Sequence, residues 1–184
     1  MMATAEPWQG TLGDKGRRIR LIALDVDGVL TDGGIYYGNA GEELKRFHVR
    51  DGLGVRLMVD AGIQVGVITA RRSELVARRA KELGMTFIHQ GVKDKWHCFE
   101  QQITQLNIPL EQCGFMGDDL IDLPILTRVG LATTPADGHA EVKKRVDWVA
   151  PQPGGNGAVR ALADQILQLQ GHWDGVLAKY DALP

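Results

Sequence analysis

Short apolar runs alternating with longer amphipathic stretches are the feature that most restricts how this chain can fold. Residues 19–24 form a near-continuous apolar run and residues 63–68 another, with shorter ones at 85–88, 113–116 and 129–132. Unbroken apolar runs of this length read as strands covered on both faces. Helical patterns fill the gaps at 53–60, 73–83, 94–106, 119–126 and 158–169. Ser73 stands where an N-cap belongs, Gly84 lies just past the end of its helix, and Asn107 and Pro109 close the next one. The expected fold is α/β: a three-layer, Rossmann-like parallel sheet with helices on both faces.

One segment breaks the alternation. Gly34-Ile35-Tyr36-Tyr37 and Glu43-Leu44-Lys45-Arg46-Phe47 flank Gly38-Asn39-Ala40-Gly41. Two β-prone runs around a Gly/Asn turn predict a hairpin, residues 33–47, inserted directly after the first strand. The chain of 184 residues suits one domain. Residues 18–170 read as that domain, residues 1–17 as a flexible polar leader and residues 171–184 as a tail with little pattern.

A net charge of −2 and no basic stripe argue against nucleic-acid partners. No apolar run reaches membrane-spanning length, and residues 1–16 lack the apolar segment of a signal peptide, so the cytoplasm is the expected compartment. Cys98 and Cys113 form neither a metal pattern nor a disulfide framework and read as buried or half-buried thiols. No GxGxxG or phosphate-loop pattern follows the first strand, which excludes the usual nucleotide sites.

Polar residues recur where the apolar runs end. The first run ends in Asp25-Val26-Asp27-Gly28, the second in Thr69-Ala70-Arg71-Arg72, and the fourth in Gly117-Asp118-Asp119 with Asp122 one turn on; Lys95 stands near a helix start, where a cation opposes the helix dipole. Asp pairs before a Gly also cap loops, so one such pair alone means little. In open parallel sheets, however, ligands bind beyond the carboxyl ends of the strands, where all these groups converge. A carboxylate can attack phosphorus to form an acyl phosphate, and a second carboxyl can protonate the leaving alkoxide and then deprotonate water. A hydroxyl and an ammonium suit the phosphoryl oxygens, and Mg²⁺ held by hard oxygen ligands offsets the repulsion between anions.

Asp25-Val-Asp-Gly-Val-Leu-Thr-Asp, Ile68-Thr69-Ala-Arg, Lys95 and Gly117-Asp118-Asp119-Leu-Ile-Asp122 resemble the four signature motifs of the haloacid dehalogenase superfamily. Gly41-Glu-Glu-Leu-Lys-Arg-Phe, Val49-Arg-Asp-Gly-Leu-Gly-Val-Arg56 and Gly154-Gly-Asn-Gly-Ala-Val-Arg160 carry a closer resemblance to its capless 3-deoxy-D-manno-octulosonate 8-phosphate phosphatases. The resemblance runs from about residue 20 to residue 170. It implies Mg²⁺-dependent hydrolysis of a sugar-acid phosphate in lipopolysaccharide precursor synthesis, with Asp25 as nucleophile and metal ligand. Asp27 would be acid/base and would offer the metal its backbone carbonyl, Asp118 would complete the metal site, and Thr69 and Lys95 would hold the phosphoryl group.

The resemblance further implies substrate contacts from Asp27, Lys95, His48, Val49, Arg50, Asp51, Gly52, Arg56, Arg71 and Arg79, with Asp119 and Asp122 in support. Arg78 competes with Arg79, and His48 stands where a smaller polar residue is expected. The resemblance also implies that the hairpin pairs between subunits in a homotetramer, in partial agreement with the marginal stability of two strands alone. Packing on its own domain is the alternative. Gly154, Gly155 and Gly157, with the tail, are candidates for a mobile lid. A nonulosonate 9-phosphate is the alternative substrate, and an idle oligomerisation module of the same fold is the alternative role.

Overall fold

The computed structural model describes residues 7–40 and 43–181. The first six residues of the leader, the last three of the tail, and Gly41 and Glu42 at the hairpin turn lie outside the described residues.

Six strands form one sheet: β1 (Leu21–Leu24), β4 (Gln64–Thr69), β5 (Phe87–Gln90), β6 (Cys113–Met116), β7 (Leu131–Thr134) and β8 (Trp148–Val149). The order is β5-β4-β1-β6-β7-β8, and every pairing in it is parallel. The helices are α1 (Gly10–Arg18), α2 (Val49–Asp60), α3 (Glu74–Glu82), α4 (Lys95–Leu106), α5 (Leu123–Leu126), α6 (Ala140–Lys143), α7 (Ala158–Leu169) and α8 (Trp173–Asp181). The hairpin after β1 is present as β2 (Tyr36–Tyr37) and β3 (Glu43–Leu44), antiparallel and separate from the main sheet.

The unbroken apolar character of β1 has a direct cause. Its side chains alternate between two cores, as the two-residue period of a strand requires. Leu21 and Ala23 pack with Phe99, Phe115 and Ile125 on one face, while Ile22 and Leu24 pack with Val55, Val67, Leu162 and Ile166 on the other. With both faces buried, no position in β1 can be polar until the strand ends, and the first polar residue is Asp25.

The leader and tail differ from the sequence reading. Residues 10–18 are helical despite three glycines, because burial overrides weak propensity. Gln170 donates from Nε2 to the carbonyls of Gly16 and Ile19 at 3.0 and 2.8 Å, and Trp8 stacks edge-on against Trp148 at 5.0 Å. These contacts tie the chain start to α7 and to the sheet edge. Residues 173–181 form α8, whose short length and internal Gly175 hid it in the sequence. α2 begins at Val49 rather than near residue 53, since Gly52, packed against Arg79 and Leu83, and Gly54, packed against α7, weaken the helical signal. The Gly154-Gly155 stretch is buried against the turn after β1, which corrects the reading of this loop as a mobile lid.

Phe99 is fully buried and meets Phe115 edge-on at 6.3 Å, so it anchors the core on the α4 face. Phe99→Ala is expected to cost ~3–5 kcal/mol of unfolding free energy by urea titration, the usual range for removing a buried ring.

Candidate active site

The turn after β1 is set by one acceptor. The Val26 carbonyl receives N–H groups from Val29, Leu30 and Thr31, at 3.3, 2.9 and 3.0 Å. Asp25 extends the ladder by donating its N–H to the Met116 carbonyl at 2.9 Å, which aims its carboxylate off the strand end. Gly28 adopts φ +91°, and a Cβ there would lie 2.2 Å from Asp118 Oδ2. Both the left-handed backbone and the close approach demand glycine, and together they bring the Asp25–Asp27 turn against the end of β6.

Asp25, Asp118 and Asp122 each present an oxygen within 4.8 Å of the others. The Lys95 ammonium, at the first position of α4, lies 2.9 Å from Asp25 Oδ1 and 2.7 Å from Asp122 Oδ1. Asp122 is fully engaged: its Oδ2 accepts the N–H groups of Asp118 and Asp119 at 3.0 and 3.3 Å. Asp25 Oδ1 differs. It attracts Lys95 without hydrogen-bond alignment, so it is a buried oxygen lacking a hydrogen-bonded donor. Among the described residues, no donor reaches the Asp118 carboxylate either. Two carboxylates with unfilled lone pairs beside a third are the donor set of a hard divalent cation.

The electrostatics agree. Burial and the nearby Asp122 charge push Asp25 up to about 6, against the pull of Lys95. Burial and then Asp25, Asp122 and Asp119 push Asp118 up to about 7. Burial weakens the Lys95 ammonium, but Asp25 and Asp122 more than restore it, and its pKa ends above the ordinary value.

Thr69 ends β4 on the same edge, buried, with its Oγ1 accepting the Arg71 N–H at 3.4 Å. Asp27 is partly exposed and faces cations. Lys45 pairs with it directly, and Arg71 Nε stands 3.7 Å away. Arg71 also donates to Tyr37 Oη at 3.2 Å and lies 3.8 Å from Glu43. One side of the hairpin therefore closes over its own site. Lys45 went unnoticed in the sequence, although its side chain is only 2% exposed; its only signal is the strand alternation that sets it opposite Leu44 and Arg46.

Other residues from the sequence reading lie elsewhere. Asp51 is engaged within the fold: its buried carboxylate accepts backbone N–H groups of Gly157 and Arg160 at 3.0 and 2.8 Å. Gly52 is likewise buried, beneath the Arg79 guanidinium. Arg56 pairs with Asp60 at 3.4 Å, and Arg79 reaches Glu82 at 3.5 Å while Arg78 points outward. Val49 is exposed. His48 and Arg50 face a cavity of about 790 Å³ walled by Trp148, Arg160 and Trp173. Asp119 caps the turn that carries Asp122.

A parallel sheet with a lysine-bridged carboxylate cluster at its C-terminal edge defines a class of hydrolase, and comparison agrees with it. Residues 82–162 match the haloacid dehalogenase-like hydrolase family. The chain is 46% identical over 160 residues to the 3-deoxy-D-manno-octulosonate 8-phosphate phosphatase KdsC of Escherichia coli K12, covering 87% of this chain and 85% of that one. It is 44% identical to the Yersinia pestis enzyme of the same name, over 88% and 86% of the two chains. A Moraxella catarrhalis phosphatase of this kind, solved with magnesium, phosphate and KDO, superposes with TM-score 0.90 at 39% identity, over 92% of this chain and 97% of that one. The cobalt-bound Haemophilus influenzae enzyme superposes with TM-score 0.82 at 41% identity, over 85% and 92%. The chain belongs to the haloacid dehalogenase-like hydrolases, in the family of 3-deoxy-D-manno-octulosonate 8-phosphate phosphatases.

Both raised carboxylates favour their protonated forms in the metal-free fold, at about 6 for Asp25 and about 7 for Asp118. An ordinary aspartate titrates near ~4, so their stabilising contribution is complete below that pH and is lost as pH rises to about 7. Asp118→Asn is therefore expected to raise the melting temperature of chelator-treated protein at about pH 8 and to change it little near pH 4. It should also abolish most of the stabilisation that Mg²⁺ gives the wild type, read in the same melts.

Proposed function

We propose that the protein is a Mg²⁺-dependent phosphatase that hydrolyses 3-deoxy-D-manno-octulosonate 8-phosphate to the free sugar acid and phosphate. The observation that carries this reading is the cluster of Asp25, Asp118 and Asp122 around Lys95, in a chain so similar to enzymes named for that reaction. Asp25 Oδ attacks phosphorus: the Asp25 O–P bond forms and the P–O bond to the sugar C8 breaks. Asp27 gives its proton to the departing alkoxide. Water then attacks the aspartyl-phosphate, Asp27 takes the proton, and phosphate leaves with Asp25 restored. Lys95 and the Thr69 hydroxyl hold the equatorial oxygens, where negative charge spreads in the transition state.

The residues present fit Mg²⁺: Asp25, Asp118 and the Asp27 carbonyl offer only hard oxygens, with no His or Cys, and Asp25 Oδ1 is a buried oxygen without an aligned hydrogen-bond donor. When bound, Mg²⁺ neutralises the anions that face each other as nucleophile and phosphate meet. Asp122 does not serve as a ligand in this scheme, because both its oxygens are taken. Asp119 supports the site from behind, by capping. Arg71, beside Asp27, is the cation placed to take the sugar-acid carboxylate, for which a guanidinium's paired donors are suited.

The hairpin supports a homotetramer. Its inner side meets Asp27, but Tyr36, Tyr37 and Leu44, three of its four strand residues, and Ile35 just before them are 48%, 71%, 65% and 44% exposed. Such a patch on so short a ribbon calls for a partner of the same kind. Arg56, Arg79, His48, Val49 and Arg50 lie apart from the cluster, and Gly52 is buried beneath Arg79, so in one copy substrate contact falls to Arg71 and to whatever a neighbour's hairpin adds. Among the described residues no helix is long and apolar enough to cross a membrane, in keeping with a cytoplasmic enzyme of lipopolysaccharide precursor synthesis.

A phosphate-release screen over sugar phosphates, including a nonulosonate 9-phosphate, tests the reading. The expected best substrate is 3-deoxy-D-manno-octulosonate 8-phosphate, with turnover lost on chelation and in Asp25→Asn. Asp27→Asn is expected to slow turnover by about 10²–10⁴-fold, the usual worth of general acid–base catalysis. Near-normal turnover in Asp25→Asn would mean a different nucleophile. In sedimentation, Leu44→Glu is expected to dissociate the wild-type assembly; a monomeric wild type would end the tetramer.

A further inference from the structure

The Gly154-Gly155-Asn156-Gly157 loop, which links β8 to α7, has no part in the chemistry above, yet it is built into the back of the active-site turn. A Cβ on Gly154 would sit 1.8 Å from the Gly28 carbonyl oxygen, and one on Gly155 would sit 2.3 Å from the Thr31 carbonyl carbon. Gly155, at φ +58°, donates its N–H to the Val29 carbonyl at 2.9 Å. Backbone thus lies directly on backbone, over the residues that follow Asp27.

Carboxylates from two other elements hold this loop. Asp137, on the turn after β7, accepts the Gly154 N–H at 2.9 Å. At the other end Gly157 is the N-cap of α7 and has no side chain with which to satisfy the helix's free amides. Asp51 does so from α2, through Oδ2 to Gly157 and Oδ1 to Arg160, from a position 1% exposed. A buried carboxylate with both oxygens on backbone amides is a stiff, specific tie.

The turn it meets belongs to no strand or helix: its apolar side chains, Val26, Val29 and Leu30, sit in the core, and its internal hydrogen bonds run to the Val26 carbonyl and to Thr31 Oγ1, which takes the Gly28 N–H at only 3.4 Å. We propose that Asp51 and Asp137 are positioning residues: they fix the Gly154–Gly157 loop as a rigid brace that sets the place of Asp27 and Gly28 against Asp118. The kinetic consequence rests on the phosphatase reading. The geometric one does not. A shift of about 1 Å in a reacting group can cost ~10²-fold in rate, so loosening the brace slows chemistry while leaving the pocket's binding groups intact.

Steady-state kinetics with phosphate-release detection, paired with hydrogen–deuterium exchange of residues 26–31, tests this on full-length Asp51→Asn, Asp137→Ala and, for comparison, Gln170→Ala. Gln170 ties α1 to the far end of α7 and lies outside the brace. Asp51→Asn is expected to lower kcat by at least about 10-fold with KM within about threefold, and to speed exchange at 26–31. Asp137→Ala should do the same to a smaller degree, and it alone decides the matter if Asp51→Asn does not fold. Gln170→Ala should lower the melting temperature with neither effect. If kcat and exchange at 26–31 match wild type in the brace variants that fold, the proposal is overturned, and Asp51 is only a helix cap. Wild-type protein without turnover would sink the phosphatase reading instead, and the exchange data would still decide the brace.

Discussion

One buried ammonium shared between carboxylates is the constraint around which the sheet edge is arranged. Lys95, Asp25 and Asp122 are 4%, 5% and 0% exposed, and charges so far from water persist only when paired. Lys95 reaches its partners because α4 starts there, Asp25 because β1 ends there, and Asp122 because a capped turn follows β6. Three separate elements must end at one point for any of the three charges to be tolerated. The cluster is therefore as much a condition on the sheet's register as a reaction centre.

The cluster is also incomplete by charge. One ammonium faces three carboxylates, Asp25, Asp118 and Asp122. Lys95 and two backbone amides satisfy Asp122, while burial and the Asp122 charge raise the pKa of Asp25, and burial and then Asp25 and Asp122 raise that of Asp118. A fold that keeps two carboxylates in that condition is poised for a cation. This difference between Asp122 and Asp118, so alike in the sequence, separates a residue that builds the site from one that offers ligands.

The hairpin and the glycine loop approach the same turn from opposite sides. The hairpin brings Lys45 to the Asp27 side chain and holds Arg71, which arrives from the end of β4, beside it through Tyr37 and Glu43. The loop meets only backbone, at Gly28, Val29 and Thr31. Chemistry and support are thus divided between two insertions around one short segment.

By itself the sequence determined the alternation of strands and helices and the hairpin, and it set Asp25, Asp27, Thr69 and Asp118 just beyond apolar runs and Lys95 at a helix start, because each of these is a local matter. A doubly buried strand must be apolar along its length, and the first polar residue after it is displayed at the sheet edge. The sequence could not disclose α1 or α8, whose glycines and polar residues give little helical signal and which are helical through contacts with α7 and Trp148. Nor could it tell that Asp51 faces the amides of α7, more than a hundred residues away, or that Lys45 turns inward to Asp27. Those assignments depend on which surfaces meet when the layers close. The same residue type reads alike in sequence whether its partner is a substrate, a helix end or another side chain, and only tertiary packing chooses among them.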